Sequence, residues 1–315
     1  MLKTEIAYTS ADGIHKIVGT VWTPDNKQDI KAVLQISHGM QEHIERYEDF
    51  AGELVENGYA VVGNNHLGHG RTAGNKENLG YFTKDNPSET AVKDLYILTR
   101  KAGDMFKNKP IFLLGHSMGS FLARRYIMNY GKKLAGVIII GTGTMSEPYL
   151  KTGRFLTKVL GKIHGDTYRS NFINKLVFGN YNKKIKKNDT GSWLTKDQKI
   201  VNKYNKDPYC NFVFTLNGFY MLFETISFVQ KKENIKKIPK TLPVYLMAGR
   251  DDPVGNYGKG VIKTYKSMVQ AGIEDISIKL YKNDRHEIIN ETDRQQVYGD
   301  ILKWLDSHIV YDDYK

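Results

Sequence analysis

The sequence predicts an α/β protein: a mostly parallel, doubly wound sheet interrupted once by an inserted helical cap. Three features carry that expectation. Short apolar runs such as AVLQISH (32–38), PIFLLGHS (110–117), LAGVIIIG (134–141) and LPVYLMAG (242–249) alternate with stretches of helical pattern. The alternation stops between 141 and 242, where the chain reads as helical, aromatic and basic. The length, 315 residues, suits one large domain carrying an insertion.

In chain order, two strands come first, near 3–9 and 14–23, joined at the Ala11-Asp12-Gly13 turn. This hairpin is expected to add an antiparallel edge. The strand at 32–38 ends at a glycine, and a helix over 47–57 closes at Gly58. A strand at 60–65 precedes a long helix over 87–106, with Pro87 near its start. Strand 110–117 runs into a helix at 118–130, and strand 134–141 follows. Strands 242–249 and 276–281, each followed by a helical pattern, complete the sheet. The core is thus read as 1–143 and 236–315, and the cap as 144–235. Within the cap, NFVFTLNGFYMLFETISFVQ (211–230) is the most apolar long stretch. It holds Asn211, Asn217, Glu224 and Gln230, too polar for a membrane span of about 20 apolar residues, and reads as an amphipathic or buried helix.

Lys and Arg number 46 against 34 Asp and Glu, a net charge of +12. Residues 144–235 hold 14 Lys and 2 Arg against 4 Asp and 3 Glu, so nine of those twelve charges sit in the cap. Codon usage favouring Lys, Asn and Ile is one source of the excess; peripheral contact with an anionic membrane surface is the sharper one. No nucleic-acid recognition motif accompanies the charge, which excludes that class of partner. A single cysteine, Cys210, rules out an internal disulfide, and the first residues lack the apolar core of a signal peptide. The expected location is cytoplasmic.

Gly115-His116-Ser117-Met118-Gly119 has the form G-x-S-x-G and stands between an apolar strand and a helix. So tight a turn leaves no room for side chains at the flanking positions and lifts the serine hydroxyl above the sheet edge. The helix start behind it favours developing negative charge. Ser117 is therefore the candidate nucleophile. A serine alcohol needs a base to take its proton, and nine histidines compete for that role. His286, in YKNDRHEII after the last predicted strand, lies at the carboxyl edge of the sheet, where such sites form. His308 lies in the terminal helix, His164 in the cap and His15 beside the opening turn; the side chain of His116 should point away from its neighbour serine. The third member must be an acid after strand 242–249, and both Asp251 and Asp252 qualify by position. No ligand cluster with metal spacing appears, and no metal or organic cofactor is implied.

HGMQEHIERY (38–47) resembles an H-G-x-x-E-H-x-x-R-Y segment, NNHLGHGRT (64–72) a D-x-x-G-H-G segment and GRDDPV (249–254) a G-x-x-D-P-V segment. With GHSMG, these identify the chain as similar to the monoacylglycerol lipase / lysophospholipase-like branch of the α/β-hydrolases, also grouped as serine aminopeptidase S33-like. The likeness runs over nearly the whole chain and is weakest in the cap. Two positions depart from the pattern, Asn65 for the usual Asp and Thr72 for Ser, and both are expected to serve loop geometry. The resemblance places the acid three residues after Gly249, at Asp252, and Pro253 stiffens that position; Asp251 is expected to cap the turn or face solvent. It places the oxyanion hole at the backbone N–H groups of Met40 and Met118. Glu42, His43 and Arg46 are expected to form a buried polar brace. The family also implies a cap with an acyl tunnel, for which Phe212, Phe214, Phe219, Phe223 and Phe228 are candidate lining residues, with plain cap core as the alternative.

These readings converge on a serine esterase for single-chain lipids such as monoacylglycerols or lysophospholipids. A carboxylesterase or thioesterase for small soluble acyl compounds is the alternative. An aminopeptidase would hold a substrate ammonium with acidic cap residues, and this cap is basic. A binding protein with a dead triad is disfavoured by an intact Ser117, Asp252 and His286.

Overall fold

A computed structural model of the chain describes residues 1–184 and 193–309. The described residues form eight strands and ten α-helices: β1 (Leu2–Thr9), β2 (Lys16–Thr23), β3 (Ala32–Ser37), α1 (Glu48–Glu56), β4 (Tyr59–Asn64), α2 (Pro87–Met105), β5 (Ile111–His116), α3 (Met118–Tyr130), β6 (Gly136–Ile140), α4 (Glu147–His164), α5 (Asn171–Phe178), α6 (Gln198–Lys206), α7 (Leu216–Val229), α8 (Lys232–Ile235), β7 (Val244–Gly249), α9 (Lys259–Gln270), β8 (Ile276–Tyr281) and α10 (Arg294–Ser307).

One sheet takes all eight strands in the order β1-β2-β4-β3-β5-β6-β7-β8. β1 and β2 pair antiparallel, β2 meets β4 antiparallel, and every later pair is parallel. The central strands are buried along their whole length and mostly apolar because helices cover both faces. Leu113 of β5 joins the cluster beneath α2, α3 and α9, while Phe112 and Leu114 point to the opposite cluster with α1 and α10.

The stretch between β6 and β7 supplies α4 to α8. Part of the predicted cap, 185–192, lies outside the described residues. The rest is continuous with the core: Leu150, Ile173, Phe219 and Ile226 belong to the same apolar cluster as the sheet residues Val33, Leu113 and Ile139. No helix among the described residues is long and apolar enough to cross a membrane.

Candidate active site

β5 enters the turn at His116, and Ser117 takes φ +53° and ψ −119°, a conformation an L-residue adopts only under constraint. The constraint comes from both sides. The Ser117 N–H donates to Ile140 O at 3.0 Å, and the next residues start α3 at once. A Cβ at Gly119 would stand 1.9 Å from Ser37 O, and one at Gly115 would stand 2.4 Å from Gly119 O. Glycine is thus imposed at both positions by close backbone approach.

Ser117 and His286 line the same cavity. His286 is buried between the rings of Trp193 and His116, each 4.8 Å away by centroid. Its Nδ1 lies 3.0 Å from Oδ2 of the buried Asp252, close enough to bond but without full hydrogen-bond alignment. The other carboxylate oxygen accepts from the Val254 N–H at 2.8 Å. Asp251 is exposed and its side chain is not part of this pair. Nε2 of His286 has no partner among the described residues and is free to receive a proton. His15 bonds Asp12, His164 stacks on Tyr168, and His308 bonds Asp275, all away from the cavity.

Met40 and Met118 both border Ser117 on the cavity wall. Met118 opens α3, so its N–H belongs to the first turn, whose donors have no intrahelical partner. The turn carrying Met40 is held by a buried network. Oε1 of Glu42 accepts from the Gly39 N–H at 2.5 Å and from the Tyr47 hydroxyl at 2.9 Å, and lies 3.1 Å from His116 Nδ1. Arg46 donates to Oε2 of Glu42 at 2.5 Å and to both oxygens of Glu287 at 2.8 and 2.7 Å. Glu287 follows His286 directly, so this network joins the Met40 turn to the loop of the candidate base. Burial alone would raise the Glu42 carboxyl, but the Arg46 charge beside it holds it well below the usual range. Burial lowers and the Glu42 carboxylate raises His116, and the second effect wins. His116 therefore belongs to the site as part of its floor, and its ring does not point away as the sequence suggested.

His43 stands apart from Glu42 and Arg46. Its Nδ1 pairs with Glu45 at 2.8 Å and its Nε2 with Asp207, at the C-terminal end of α6, at 2.9 Å. Burial opposes its protonation, yet the two carboxylates raise its pKa. Asn65 and Thr72 hold loops: Oδ1 of Asn65 accepts from the Ile44 N–H at 3.0 Å, and the Thr72 hydroxyl donates to Asn65 O at 2.8 Å. His38 and His69 are pushed down to about 3, chiefly by burial, and stay neutral behind the Met40 turn.

The cavity opens to solvent, and the empty space in it and its mouth amounts to about 560 Å³. Its apolar wall is built by Phe121, Met145, Val177, Phe178, Tyr181, Trp193, Leu222 and Ile226. None of the phenylalanines expected there lines it. Phe214 and Phe212 pack edge-on against His69, Phe219 packs on Phe214, and Phe223 fills the space over Gly153. Phe228 lies under the Arg125 guanidinium at 4.3 Å. Of α7, Leu222 and Ile226 reach the cavity, while Phe219 is taken up by Phe214 and Phe223 by Gly153 and Tyr149 of α4. Backbone bonds tie the wall to the base, with the His286 N–H donating to Trp193 O at 3.2 Å and the Glu287 N–H to Leu194 O at 2.7 Å.

Two groups of metal-type donors converge that the linear spacing did not reveal, His43 with Asp207 and Cys210, and Asp284 with Glu291 and Asp293. In the first, both nitrogens of His43 are occupied by carboxylates; in the second, Lys196 sits 2.8 Å from Asp284 and 3.8 Å from Glu291. Neither argues for a metal.

The strand order, the serine elbow and the inserted helices define an α/β-hydrolase. Residues 28–293 match the family model for serine aminopeptidase, S33, and the chain belongs to that family. A monoacylglycerol lipase of Mycolicibacterium smegmatis is 24% identical over 314 residues, covering 98% of both chains. The human monoglyceride lipase is 25% identical over 290 residues, 90% of this chain and 84% of its own. Among solved structures, a thermostable carboxyl esterase from Bacillus coagulans in complex with glycerol superposes with a TM-score of 0.90 at 29% identity, covering 98% of this chain and all of the other. These relatives put the chain in the monoacylglycerol lipase-like branch of the α/β-hydrolases.

Proposed function

We propose that this chain hydrolyses the carboxylic ester of single-chain lipids, foremost monoacylglycerols, through an acyl-enzyme on Ser117. The observation that carries the reading is the strained serine in a largely apolar cavity that it shares with His286, with Asp252 3.0 Å behind the imidazole. Ser117 Oγ attacks the ester carbonyl while His286 Nε2 takes its proton. The N–H groups of Met40 and Met118 receive the developing oxyanion. The imidazolium then gives its proton to the departing alcohol. Water attacks the acyl-enzyme, its proton passing to Nε2 and on to Ser117 Oγ, and the free acid leaves. Asp252 orients the imidazole and stabilises its charged form.

The apolar wall beside the serine suits an acyl chain. Peptide substrates fit poorly, because the two carboxylates on the wall, Glu42 and Glu287, are both engaged by Arg46 and do not offer themselves to a substrate ammonium. Residues 144–235 act in this reading as a cap over the serine. Its outer surface carries an apolar stripe at helical spacing, Phe155 (65% exposed), Val159 and Ile163 (67%) on α4, with Phe172 (62%) on α5. Lys151, Lys158, Lys162 and Lys175 flank it. That combination favours peripheral contact with an anionic lipid surface, each basic residue contributing about 1 kcal/mol. The lone, buried Cys210 agrees with a cytoplasmic location.

The test is a hydrolysis panel of monoacylglycerols, lysophospholipids, short soluble esters, thioesters and amino-acid amides, with Ser117→Ala as control. The highest kcat/KM is expected on a monoacylglycerol, and none of the panel should turn over with the variant. A clear preference for short soluble esters or thioesters would replace the lipid reading with the small-substrate one.

A further inference from the structure

A second cleft opens where the chain leaves the sheet for the cap and where it returns. It is open to solvent, spans about 1200 Å³ including its mouth between residues 144–154, 227–235 and 263–267, and shares with the catalytic cavity Met145 alone among the lining residues. Arg124 of α3 lines it and is 1% exposed. One Nη donates to Gly143 O at 3.0 Å and to the Thr142 hydroxyl at 3.3 Å, and the other donates to Val229 O at 3.2 Å. Arg124 thus touches both crossings of the chain. No carboxylate compensates it among the described residues, and its Nε has no partner. Burial without an acid pulls this guanidinium down to about 9. Proteins rarely bury a charge unpaired, since the lost hydration is worth several kcal/mol.

The remaining charges point the same way. Lys151 and Arg154 of α4, Lys231 before α8 and Lys263 of α9 also line the cleft, against Glu147 and Glu233. One of those acids is engaged already, with the Ser227 hydroxyl at 3.3 Å and Arg154 at 3.8 Å. The hydroxyl of Ser146 adds a neutral donor, while that of Ser267 is already spent on Lys263 O at 2.8 Å. Five cations against two carboxylates exceed what one carboxylate ligand would use.

We propose that this cleft binds a phosphate group, carried by a soluble metabolite or by a lipid headgroup. The ligand would neutralise the cations of α4 and α9 together and brace the two crossings that Arg124 already spans. The bracing also draws on Gln230, whose side chain accepts from the Met145 N–H at 2.7 Å and donates to Met145 O at 3.1 Å.

Calorimetric titration at constant ionic strength tests this with pyrophosphate, glycerol phosphate and an ether-linked alkylglycerol phosphate that no esterase can cleave. Saturable 1:1 binding is expected for at least one of them. Lys263→Glu and Arg154→Gln should each weaken it by about tenfold or more, the loss of one charge-assisted bond. Lys303→Glu, on α10 and outside the cleft, should leave it unchanged. Binding of pyrophosphate or glycerol phosphate assigns a soluble ligand; binding of the ether lipid alone, weakened by Lys263→Glu, assigns a headgroup. The proposal is overturned if no probe saturates at 10 mM, or if Lys303→Glu weakens binding as much as Lys263→Glu does.

Discussion

Replacing Ser117 by glycine should abolish hydrolysis and at the same time make the protein more stable. Ser117 holds φ +53° and ψ −119°, a region open to glycine and costly to any residue with a Cβ, by roughly 1–3 kcal/mol. Its Cβ also faces Gly39, where even a methyl group would come within 3.1 Å. Glycine removes both the Cβ and the strain, and loses about 0.5–1 kcal/mol through the greater freedom of the unfolded chain. From the middle of these ranges the net gain is about 1 kcal/mol, a rise of roughly 1–2 °C in Tm for a chain of this size. Ser117→Ala is the matched control, because it removes the hydroxyl and retains the Cβ. Thermal and urea unfolding of the two variants, with esterase activity measured alongside, separates chemistry from strain. Both should be inactive and only the glycine variant stabilised. If Ser117→Gly is no more stable than Ser117→Ala, the elbow stores no strain and the account of G-x-S-x-G given above is wrong.

Asp252→Asn should lower turnover by about 10⁴ through the wrong imidazole tautomer, while Asp251→Asn, exposed and outside the pair, should stay close to the parent; steady-state kinetics on both variants would expose an error of one residue. Arg46→Met strands two buried carboxylates, Glu42 and Glu287, and should cost about 3–5 kcal/mol in urea unfolding; a loss under 1 kcal/mol would mean the network is not what holds the Met40 turn. His43 has a raised pKa in the folded chain, so its contribution is full below its unfolded value and fades as pH rises through the folded one. The stability gap between the parent and His43→Gln should therefore narrow from pH 6 to pH 9, and a gap that widens would reverse the sign assigned to the Glu45–His43–Asp207 bridge.

Much of the framework was legible because its signals are local. The runs of β3, β5, β6 and β7 are dominated by apolar residues, and Pro87 and Gly58 mark helix ends where α2 begins and α1 has closed. The serine elbow was readable because a strand, two glycines and a helix start must coincide within a few residues. The cavity wall was not readable. α7 is apolar nearly all round, so its pattern cannot say which face meets the serine, and Phe219 and Phe223 fill the interior beside the cavity instead. Phe212 and Phe214 precede the helix altogether. Trp193 reaches the cavity by packing on His286, and Tyr181 and Phe178 by packing on Trp193, contacts that leave no periodic trace. Glu287 was missed as the partner of Arg46 because 241 residues separate them; its one signal is its place beside His286. Arg124 gave no sign at all, since a basic residue inside a helix ordinarily reads as a solvated face.

The central claim, that Ser117 is the acylated nucleophile, is most directly tested by reacting the folded chain with a fluorophosphonate and locating the adduct by peptide mass spectrometry. One phosphonyl group per chain is expected, on the peptide containing Ser117, with reaction slowed severely in His286→Ala. A chain that hydrolyses esters but carries the adduct on another residue, or carries none, would contradict the account.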